Sequence, residues 1–230
     1  MSYSKEESRV EFGAWSRSYD DSILQRLLFV PSHDCLMQTI GDLNRPLRLL
    51  DIGCGTGAFA QRITQGHPQV EAWAVDLSGG MLKEGAARMR EANSSIRLVQ
   101  ADSEALPLAS DSFDVVTCAN SFHHYPNQSH AVAEMHRVLR PGGRLMIIDG
   151  YRDRLWGRFI YDVCVVAVEG QVHHASARRF RELFLEAGFV GVRQQAKLGL
   201  APFLLTMGTA PKPARAAGLP PLPLHPAIAA

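Results

Sequence analysis

Hydrophobic and polar residues alternate along this chain on two length scales. Short apolar runs of strand length are separated by longer segments in which apolar residues recur with helical spacing. This pattern is typical of a parallel sheet that is covered by helices on both faces. It predicts strands at 47–53, 71–77, 96–101, 113–120 and 144–149. It predicts the intervening helices at 58–65, 80–92 and 127–139.

The C-terminal third of the chain predicts a change of strand direction. An Arg-Pro-Gly-Gly sequence at 140–143 predicts the end of the preceding helix, because Pro and Gly stop a helix and turn the chain. An amphipathic stretch at 155–168 and a helix at 177–187 follow. The last two strands, at 190–197 and 203–209, are separated by too few residues for a crossover, so we expect them to be antiparallel. The predicted fold class is therefore α/β.

The most informative sequence is Leu-Leu-Asp-Ile-Gly-Cys-Gly-Thr-Gly at 49–57. It carries a predicted strand into three alternating glycines, Gly53, Gly55 and Gly57, and a helix follows. Glycine permits positive φ and a close approach of the backbone to a ligand, and the N-terminus of a helix attracts anions. The loop predicts a pocket for a nucleotide or a carboxylate, although such a turn can also merely connect a strand to a helix.

Two kinds of ligand use a loop of this type. Gly53, Gly55 and Ala58 match the dinucleotide fingerprint G-x-G-x-x-G/A. Asp76, at the end of the next predicted strand, is then the acid that binds the ribose. Asp51 favours a different ligand, because a carboxylate beside the site repels a pyrophosphate and attracts an ammonium group. The methionyl half of S-adenosylmethionine carries such a group, so this methyl donor is favoured over NAD(P).

Composition indicates one compact domain and disfavours several classes of protein. The 230 residues carry a formal net charge of +1, from 24 Lys and Arg against 23 Asp and Glu, so no overall field attracts nucleic acid or an anionic membrane. The N-terminal residues are too polar for a signal peptide, and no apolar run is long enough for a membrane span. The four cysteines show neither paired nor metal-ligand spacing. We expect a cytoplasmic protein with no metal site.

Three further motifs accompany the glycine loop in a fixed order. They are Ala-Val-Asp-Leu-Ser at 74–78, Gln-Ala-Asp-Ser-Glu-Ala-Leu-Pro-Leu at 100–108 and Arg-Val-Leu-Arg-Pro-Gly-Gly-Arg-Leu at 137–145. Over 45–210 the chain thereby resembles the class I S-adenosylmethionine-dependent methyltransferases, in the UbiE-like small-molecule group. The resemblance implies a Rossmann-like, doubly wound sheet of seven strands, mostly parallel with an antiparallel last strand. It also implies S-adenosyl-L-methionine as the cofactor.

The resemblance also implies an organisation into segments. These are an N-terminal helical lid at 1–40, a methyltransferase domain at 41–210 and, within it, a substrate-covering insertion at 151–176. The Pro- and Ala-rich residues 211–230 bury little surface, so we expect a disordered tail. In the family an aromatic segment folds over the cofactor, and Tyr19 is its counterpart here. The helical spacing of Phe12, Trp15 and Tyr19 is equally compatible with simple packing against the domain.

The chemistry of the cofactor suggests roles for residues that follow the second and third strands. Asp76 can accept hydrogen bonds from both ribose hydroxyls, and Leu77 and Met81 can line the apolar face of adenine. Asp102, with Ser103 beside it, can accept a hydrogen bond from the adenine amine. Simpler roles stay open, with Asp76 as a capping acid, Met81 as a core residue and Asp102 as a turn former.

The loop after the fourth strand lies where open α/β folds bind ligands. The resemblance places Asn120, Ser121 and Phe122 near the methionyl end of the cofactor. His123 and His124 titrate near neutrality, so they are the predicted catalytic bases, although such a pair can also only shape the pocket.

The acceptor is less well defined than the cofactor. His173 and His174 belong to the predicted covering segment, as pocket lining or as solvated loop. Quinone-methylating members carry Arg-Asn where this chain has Ala119-Asn120, so a quinone precursor is only one candidate acceptor. Nucleic acid is disfavoured, because the chain lacks a basic stripe and an Asn- or Asp-Pro-Pro-Tyr sequence. We predict methyl transfer to a small molecule; an NAD(P)-dependent oxidoreductase and a non-catalytic cofactor-binding partner protein are the alternatives, and a homodimer is one option for assembly.

Overall fold

The computed structural model describes residues 29–165, 172–199 and 201–212. The strands are β1 Leu47–Ile52, β2 Val70–Asp76, β3 Arg97–Gln100, β4 Phe113–Ala119, β5 Leu139–Gly150, β6 Val190–Lys197 and β7 Phe203–Thr209. The helices are α1 Val30–Ile40, α2 Ala58–Gly66, α3 Gly79–Glu91, α4 Gln128–Val138, α5 Leu155–Phe159 and α6 Ala177–Glu186. A 3₁₀ turn at Phe122–His124 and a π-helical segment at Ile160–Val165 complete the described elements.

The strands form one seven-stranded sheet in the order β3-β2-β1-β4-β5-β7-β6. Strands β1 to β5 are all parallel, whereas β7 lies antiparallel to both β5 and β6. The antiparallel pairing of β6 and β7 follows from their short connection, as expected. The structure confirms the predicted α/β fold with a mostly parallel sheet and an antiparallel last strand.

Each face of the sheet carries its own apolar layer. Phe122, Phe180 and Phe184 are fully buried in the layer on the side of α4 and α6. Leu36 and Phe59 are fully buried in the layer on the side of α1 and α2. With both faces covered, the edge at which the parallel strands end is left to bind a ligand.

The start of β5 differs from the prediction. We expected the Arg-Pro-Gly-Gly sequence to form a turn between helix and strand, but the structure includes it in β5, which begins at Leu139. Leu139 pairs with Phe113 before the register shifts. Gly142, with φ 86°, accommodates the irregularity, and its N–H donates to the carbonyl of Ala210 at 2.8 Å. The glycines distort the strand without ending it.

Some predictions concern parts of the chain outside the described residues. They include the aromatic segment with Tyr19, most of the C-terminal tail, and residues 166–171 of the predicted covering insertion. Within the predicted lid at 1–40, the described helix α1 packs into the core through Leu36 and Ile40. Among the described helices, none has the length and apolar character needed to cross a membrane.

Candidate cofactor and acceptor site

The glycine loop follows β1 at the carboxyl edge of the sheet. Gly53, Gly55 and Gly57 have φ of 68°, 56° and 75°, so all three adopt the left-handed conformation that favours glycine. Gly53 is also closely packed, because a Cβ there would lie 2.2 Å from Ser121 Oγ and 2.5 Å from the Tyr125 hydroxyl. The predicted loop therefore needs glycine for backbone conformation and, at Gly53, for space.

Asp76, the last residue of β2, ties this loop to the next one. One carboxylate oxygen accepts a hydrogen bond from Gly55 N–H at 2.7 Å, and the other accepts one from Ser78 N–H at 2.8 Å. Burial raises the pKa of Asp76 to about 6, against the opposing effect of these backbone donors. Each oxygen keeps acceptor capacity for a further donor, as the proposed contact with two ribose hydroxyls requires.

Asp51 lies on β1 beside the loop and is almost completely buried. One of its oxygens accepts a hydrogen bond from the Thr117 hydroxyl of β4 at 2.8 Å. Burial raises the pKa of Asp51 to about 7; the Thr117 hydrogen bond lowers the pKa, and the Asp76 carboxylate raises it further. A buried carboxyl group with one partner is suited to a cationic ligand, because the cation would restore the ionised form.

The residues predicted to bind adenine lie around the ends of β2 and β3. Ala101 N–H donates to the carbonyl of Asp76 at 3.0 Å, which brings the two strand ends together. Asp102 and its neighbour Ser103 are half-buried, and one Asp102 oxygen accepts from Glu104 N–H at 2.9 Å, so the turn-forming role is present. Leu77 is also half-buried beside the same edge.

Met81, the other residue predicted to line the adenine site, is buried. It lies in the first turn of α3 and only 2% of its surface is exposed, so the helix directs it into the protein interior. Its N–H is capped by the Ser78 hydroxyl. Burial agrees with the core role that the sequence left open for Met81, and the contact with adenine stays a prediction.

Asn120 and Ser121 lie at the end of β4, next to the glycine loop. Asn120 has a positive φ of 52°, and its amide donates to the Ser32 hydroxyl of α1 at 2.7 Å. Ser121 Oγ lies 3.2 Å from Cys118 Sγ and 3.3 Å from the Tyr125 hydroxyl. Both residues are half-buried, and Ser121 adjoins Gly53.

Phe122, the next residue of the predicted acceptor loop, belongs to the apolar core. Its side chain has no exposed surface and packs on Phe180 and Tyr125, with ring centroids 5.3 and 5.4 Å apart. The 3₁₀ turn that begins at Phe122 directs this ring into the α4–α6 layer, away from the sheet edge. The residue anchors the acceptor loop in the core, and its place near the methionyl end of the cofactor stays a prediction.

His123 and His124 follow directly, with ring centroids 4.2 Å apart. His123 is buried and its Nδ1 lies 2.7 Å from an oxygen of Asp149, near the end of β5. His174 is also buried, and its ring lies 4.4 Å from that of His123. The solvated-loop interpretation is therefore wrong for His174, whereas His173 is exposed.

Asp149 is a candidate site residue that the sequence interpretation missed. It is the last residue of the strand predicted at 144–149 and the penultimate residue of β5, which is the neighbour of β4 in the sheet. Carboxyl ends of adjacent parallel strands meet at one edge, so an acid there was a detectable signal. Thr117 and Ser32 were also missed, because their roles depend on the packing of other elements.

His123, Asp149 and His174 also form a group of side chains that could hold a cation. Their nearest ligand atoms all lie within 4.8 Å of one another. The Asp149 oxygen that faces both rings already accepts from Gly150 N–H at 2.7 Å. Its separation from His123 Nδ1 is a hydrogen-bond length. The arrangement is that of a hydrogen-bonded carboxylate.

Comparison with known proteins agrees with this geometry. Residues 50–147 match the methyltransferase domain family. The match supports the predicted resemblance to the class I S-adenosylmethionine-dependent methyltransferases of the UbiE-like group. A demethylmenaquinone methyltransferase from Deinococcus radiodurans is 39% identical over 104 residues, which are 45% of this chain and 43% of that protein. A malonyl-[acyl-carrier protein] O-methyltransferase from Methylococcus capsulatus is 38% identical over 138 residues, which are 59% of this chain and 48% of the relative.

Solved structures agree with the methyltransferase fold. A Thermotoga maritima S-adenosylmethionine-dependent methyltransferase superposes with a TM-score of 0.71 at 20% identity, over 87% of this chain and 98% of that one. A chain from the complex between the Haloferax volcanii Trm112 methyltransferase activator and a methyltransferase gives 0.73 at 19% identity, over 87% and 98%. At this identity the likeness establishes the fold alone.

The matched methyltransferase segment does not contain the whole candidate site. It includes Asp51, Asp76 and the acceptor loop with His123, but it ends two residues before Asp149. His174 lies further along the chain, beyond the same limit. The chain spans about half the length of the curated relatives it matches. The family match therefore covers the residues predicted to bind the cofactor, apart from Tyr19, but only part of the group formed by His123, Asp149 and His174.

Proposed function

We propose that this protein transfers a methyl group from S-adenosylmethionine to a small-molecule acceptor. The observation that carries the proposal is the Asp76 carboxylate, which bridges Gly55 and Ser78 at the end of β2 within a methyltransferase domain. The glycine loop offers close backbone contact, and Asp76 offers acceptors for the two ribose hydroxyls.

Asp51 supports the methyl donor over a dinucleotide. Its carboxyl group is buried beside the glycine loop, where a pyrophosphate would bring a second negative charge. Because burial already disfavours its ionised form, a nearby anion raises the cost further, whereas the ammonium of the methionyl group lowers it. An NAD(P)-dependent oxidoreductase is therefore the less favoured function.

The proposed acceptor is a small molecule, such as an aromatic, quinone-like or secondary metabolite, that is methylated at an oxygen, nitrogen or carbon atom. The net charge of +1 gives no general attraction for nucleic acid. The two relatives differ in the acceptor that their names state, since one is a demethylmenaquinone enzyme and the other acts on malonyl-[acyl-carrier protein]. The proposed location of the reaction is the cytoplasm, which cell fractionation with a specific antibody would test.

Ligand-dependent thermal unfolding tests the cofactor. A ligand at a hundred times its dissociation constant adds about 2.7 kcal/mol to the free energy of unfolding. We expect S-adenosylhomocysteine to raise the melting temperature and NADH to leave it unchanged. Stabilisation by NADH alone would overturn the proposal. The control is the Asp76→Ala variant, which should unfold cooperatively and lose most of the stabilisation.

Turnover is tested with a labelled methyl donor and a mixture of small metabolites. Label transferred to an extractable small molecule by the wild-type protein, and not by Asp76→Ala, supports the enzyme. Binding of S-adenosylhomocysteine without transfer to any acceptor in broad mixtures would favour the non-catalytic partner protein.

A further inference from the structure

Asp149 holds His123 through both the backbone and the ring. One oxygen accepts from His123 N–H at 3.0 Å, and the other lies 2.7 Å from Nδ1 of the same residue. Gly150 N–H donates to this second oxygen at 2.7 Å. Two backbone donors thereby fix the carboxylate, and the carboxylate in turn fixes the orientation of the imidazole. The pair is buried, so the hydrogen bond is little weakened by water.

The charge state of Asp149 determines which ring nitrogen of His123 carries the proton. Burial raises the pKa of Asp149, but the neighbouring histidines and the Gly150 N–H lower it, and the net pKa is below the usual value. An ionised carboxylate only accepts hydrogen bonds, so Nδ1 must be the donor. The neutral ring then carries its lone pair on Nε2, which is the form required of a base.

His174 supports the same pair from a different part of the chain. Its ring lies over His123 at a tilt of 32°, and its Nδ1 is 3.8 Å from the Asp149 oxygen. Three hydrogen bonds hold this segment in place. His173 N–H donates to the carbonyl of His123 at 2.8 Å, Arg152 donates to the carbonyl of His174 at 3.1 Å, and the Gln128 amide donates to the carbonyl of His173 at 2.9 Å.

The other titratable groups named here around His123 and Asp149 do not supply the negative charge that Asp149 provides. The His124 ring packs on His123, and the Tyr161 ring packs on His174 at 4.9 Å while its hydroxyl donates to a backbone carbonyl. Cys118 lies on β4, where burial raises the pKa of its thiol to about 12. The charged Arg152 also adjoins the cluster through His174. Of these groups, Asp149 is the one that contributes a negative charge beside both rings.

We propose that Asp149 is the positioning residue that sets His123 as the general base of the methyl transfer, with His174 holding the ring in place. The inference rests on the proposed function. As the acceptor oxygen attacks the methyl carbon, Nε2 of His123 takes the hydroxyl proton. The carbon–sulfur bond breaks and its electron pair stays on sulfur, so the sulfonium becomes a neutral thioether. The resulting imidazolium lies against the Asp149 carboxylate.

Histidine-selective ¹⁵N NMR of the full chain tests the positioning without any acceptor. We expect neutral His123 of the wild type to carry its proton on Nδ1. In Asp149→Asn, removal of the negative charge should make His123 titrate at least one pH unit lower, with loss of the single tautomer. The matched control Asp42→Asn replaces an exposed acid that bonds its own loop, and it should leave His123 unchanged. A wild-type ring protonated on Nε2, or equal titration in Asp149→Asn, would overturn the proposal.

Single-turnover kinetics extends the test to an acceptor found in the metabolite screen. His123→Gln should slow transfer by about 10² to 10⁴-fold, and Asp149→Asn by about 10²-fold or more, with the pH dependence near neutrality lost in the first and displaced in the second. Affinity for S-adenosylhomocysteine should stay within about twofold of the wild type, which separates this outcome from failure of the cofactor site. His130→Gln, on the exposed side of α4, is the control for histidine replacement.

Calorimetric titration with Zn²⁺ distinguishes a hydrogen-bonded pair of His123 and Asp149 from a cation site. Stoichiometric binding that is lost in Asp149→Asn and in His174→Gln would show that the cluster coordinates a cation, and would contradict the assignment of His123 as a base. Absence of such binding, together with the expected tautomer, supports the hydrogen-bonded pair.

Discussion

The pH dependence of cofactor binding offers a sensitive test of Asp51. In the empty protein burial raises the pKa of this carboxyl to about 7. Relative to the usual value of 3.8, the ionised form is therefore disfavoured by about 3 pH units, or on the order of 4 kcal/mol. The protonated Asp51 carboxyl therefore contributes to the free energy of unfolding. This contribution is complete below about pH 4 and is lost as pH rises towards 7. The empty Asp51→Asn protein should accordingly gain free energy of unfolding at pH 7.5, by up to that amount.

Binding of the cofactor favours the ionised form of Asp51 over the protonated form. Its ammonium group favours ionised Asp51, so binding at low pH must first release the proton. For a carboxyl with a pKa near 7, affinity should fall about tenfold between pH 7.5 and pH 6. Asp76, with a pKa near 6, adds about a further factor of two.

Calorimetric titration with S-adenosylhomocysteine at the two pH values measures the effect. Asp51→Asn should bind more weakly at pH 7.5 by roughly 1.5 to 3 kcal/mol, because it loses a charged partner, and its affinity should change only about twofold between the two pH values. Asp42→Asn is the control and should follow the wild type. Equal wild-type affinity at pH 6 and pH 7.5, or full pH dependence in Asp51→Asn, would refute the contact between Asp51 and the ammonium.

Three further substitutions examine separate parts of the site. Asp76→Ala should weaken S-adenosylhomocysteine binding by roughly 1.5 to 3 kcal/mol in calorimetry, and unchanged affinity in the folded variant would remove Asp76 from the site. Gly53→Ala should reduce affinity at least about tenfold and lower the melting temperature, because the added methyl collides with Ser121, whereas Gly66→Ala has open space and should do neither. Phe122→Ala should lower the free energy of unfolding by about 3 to 5 kcal/mol in urea titration, and a loss below 1 kcal/mol would contradict its core position.

The cofactor half of the site was predictable because its signals are local. An acid that ends a strand and glycines at alternate positions specify their own geometry over a few residues, as Asp76 and Gly53 show. Seven strands were also predictable from apolar runs and connection lengths. The start of β5 was not, because a positive φ at Gly142 can continue a distorted strand as well as end it.

The acceptor half required knowledge of contacts between distant residues. Asp149 meets His123 across 26 positions because β4 and β5 are neighbours, and the pattern of each strand alone does not state that pairing. Phe122 belongs to a loop by sequence, yet a single 3₁₀ turn carries its ring into the core. His174 is buried by its contacts with His123 and Tyr161, which its polarity alone does not predict.

The bridge made by Asp76 also bears on the kinetics of ligand exchange. Because its oxygens already join Gly55 and Ser78, the two loops are held together before the cofactor arrives. The two loops are therefore preorganised, and association costs little conformational entropy. A cofactor analogue without ribose hydroxyls should therefore associate as fast as the natural molecule. Discrimination between the two would appear in residence time, through faster dissociation of the analogue.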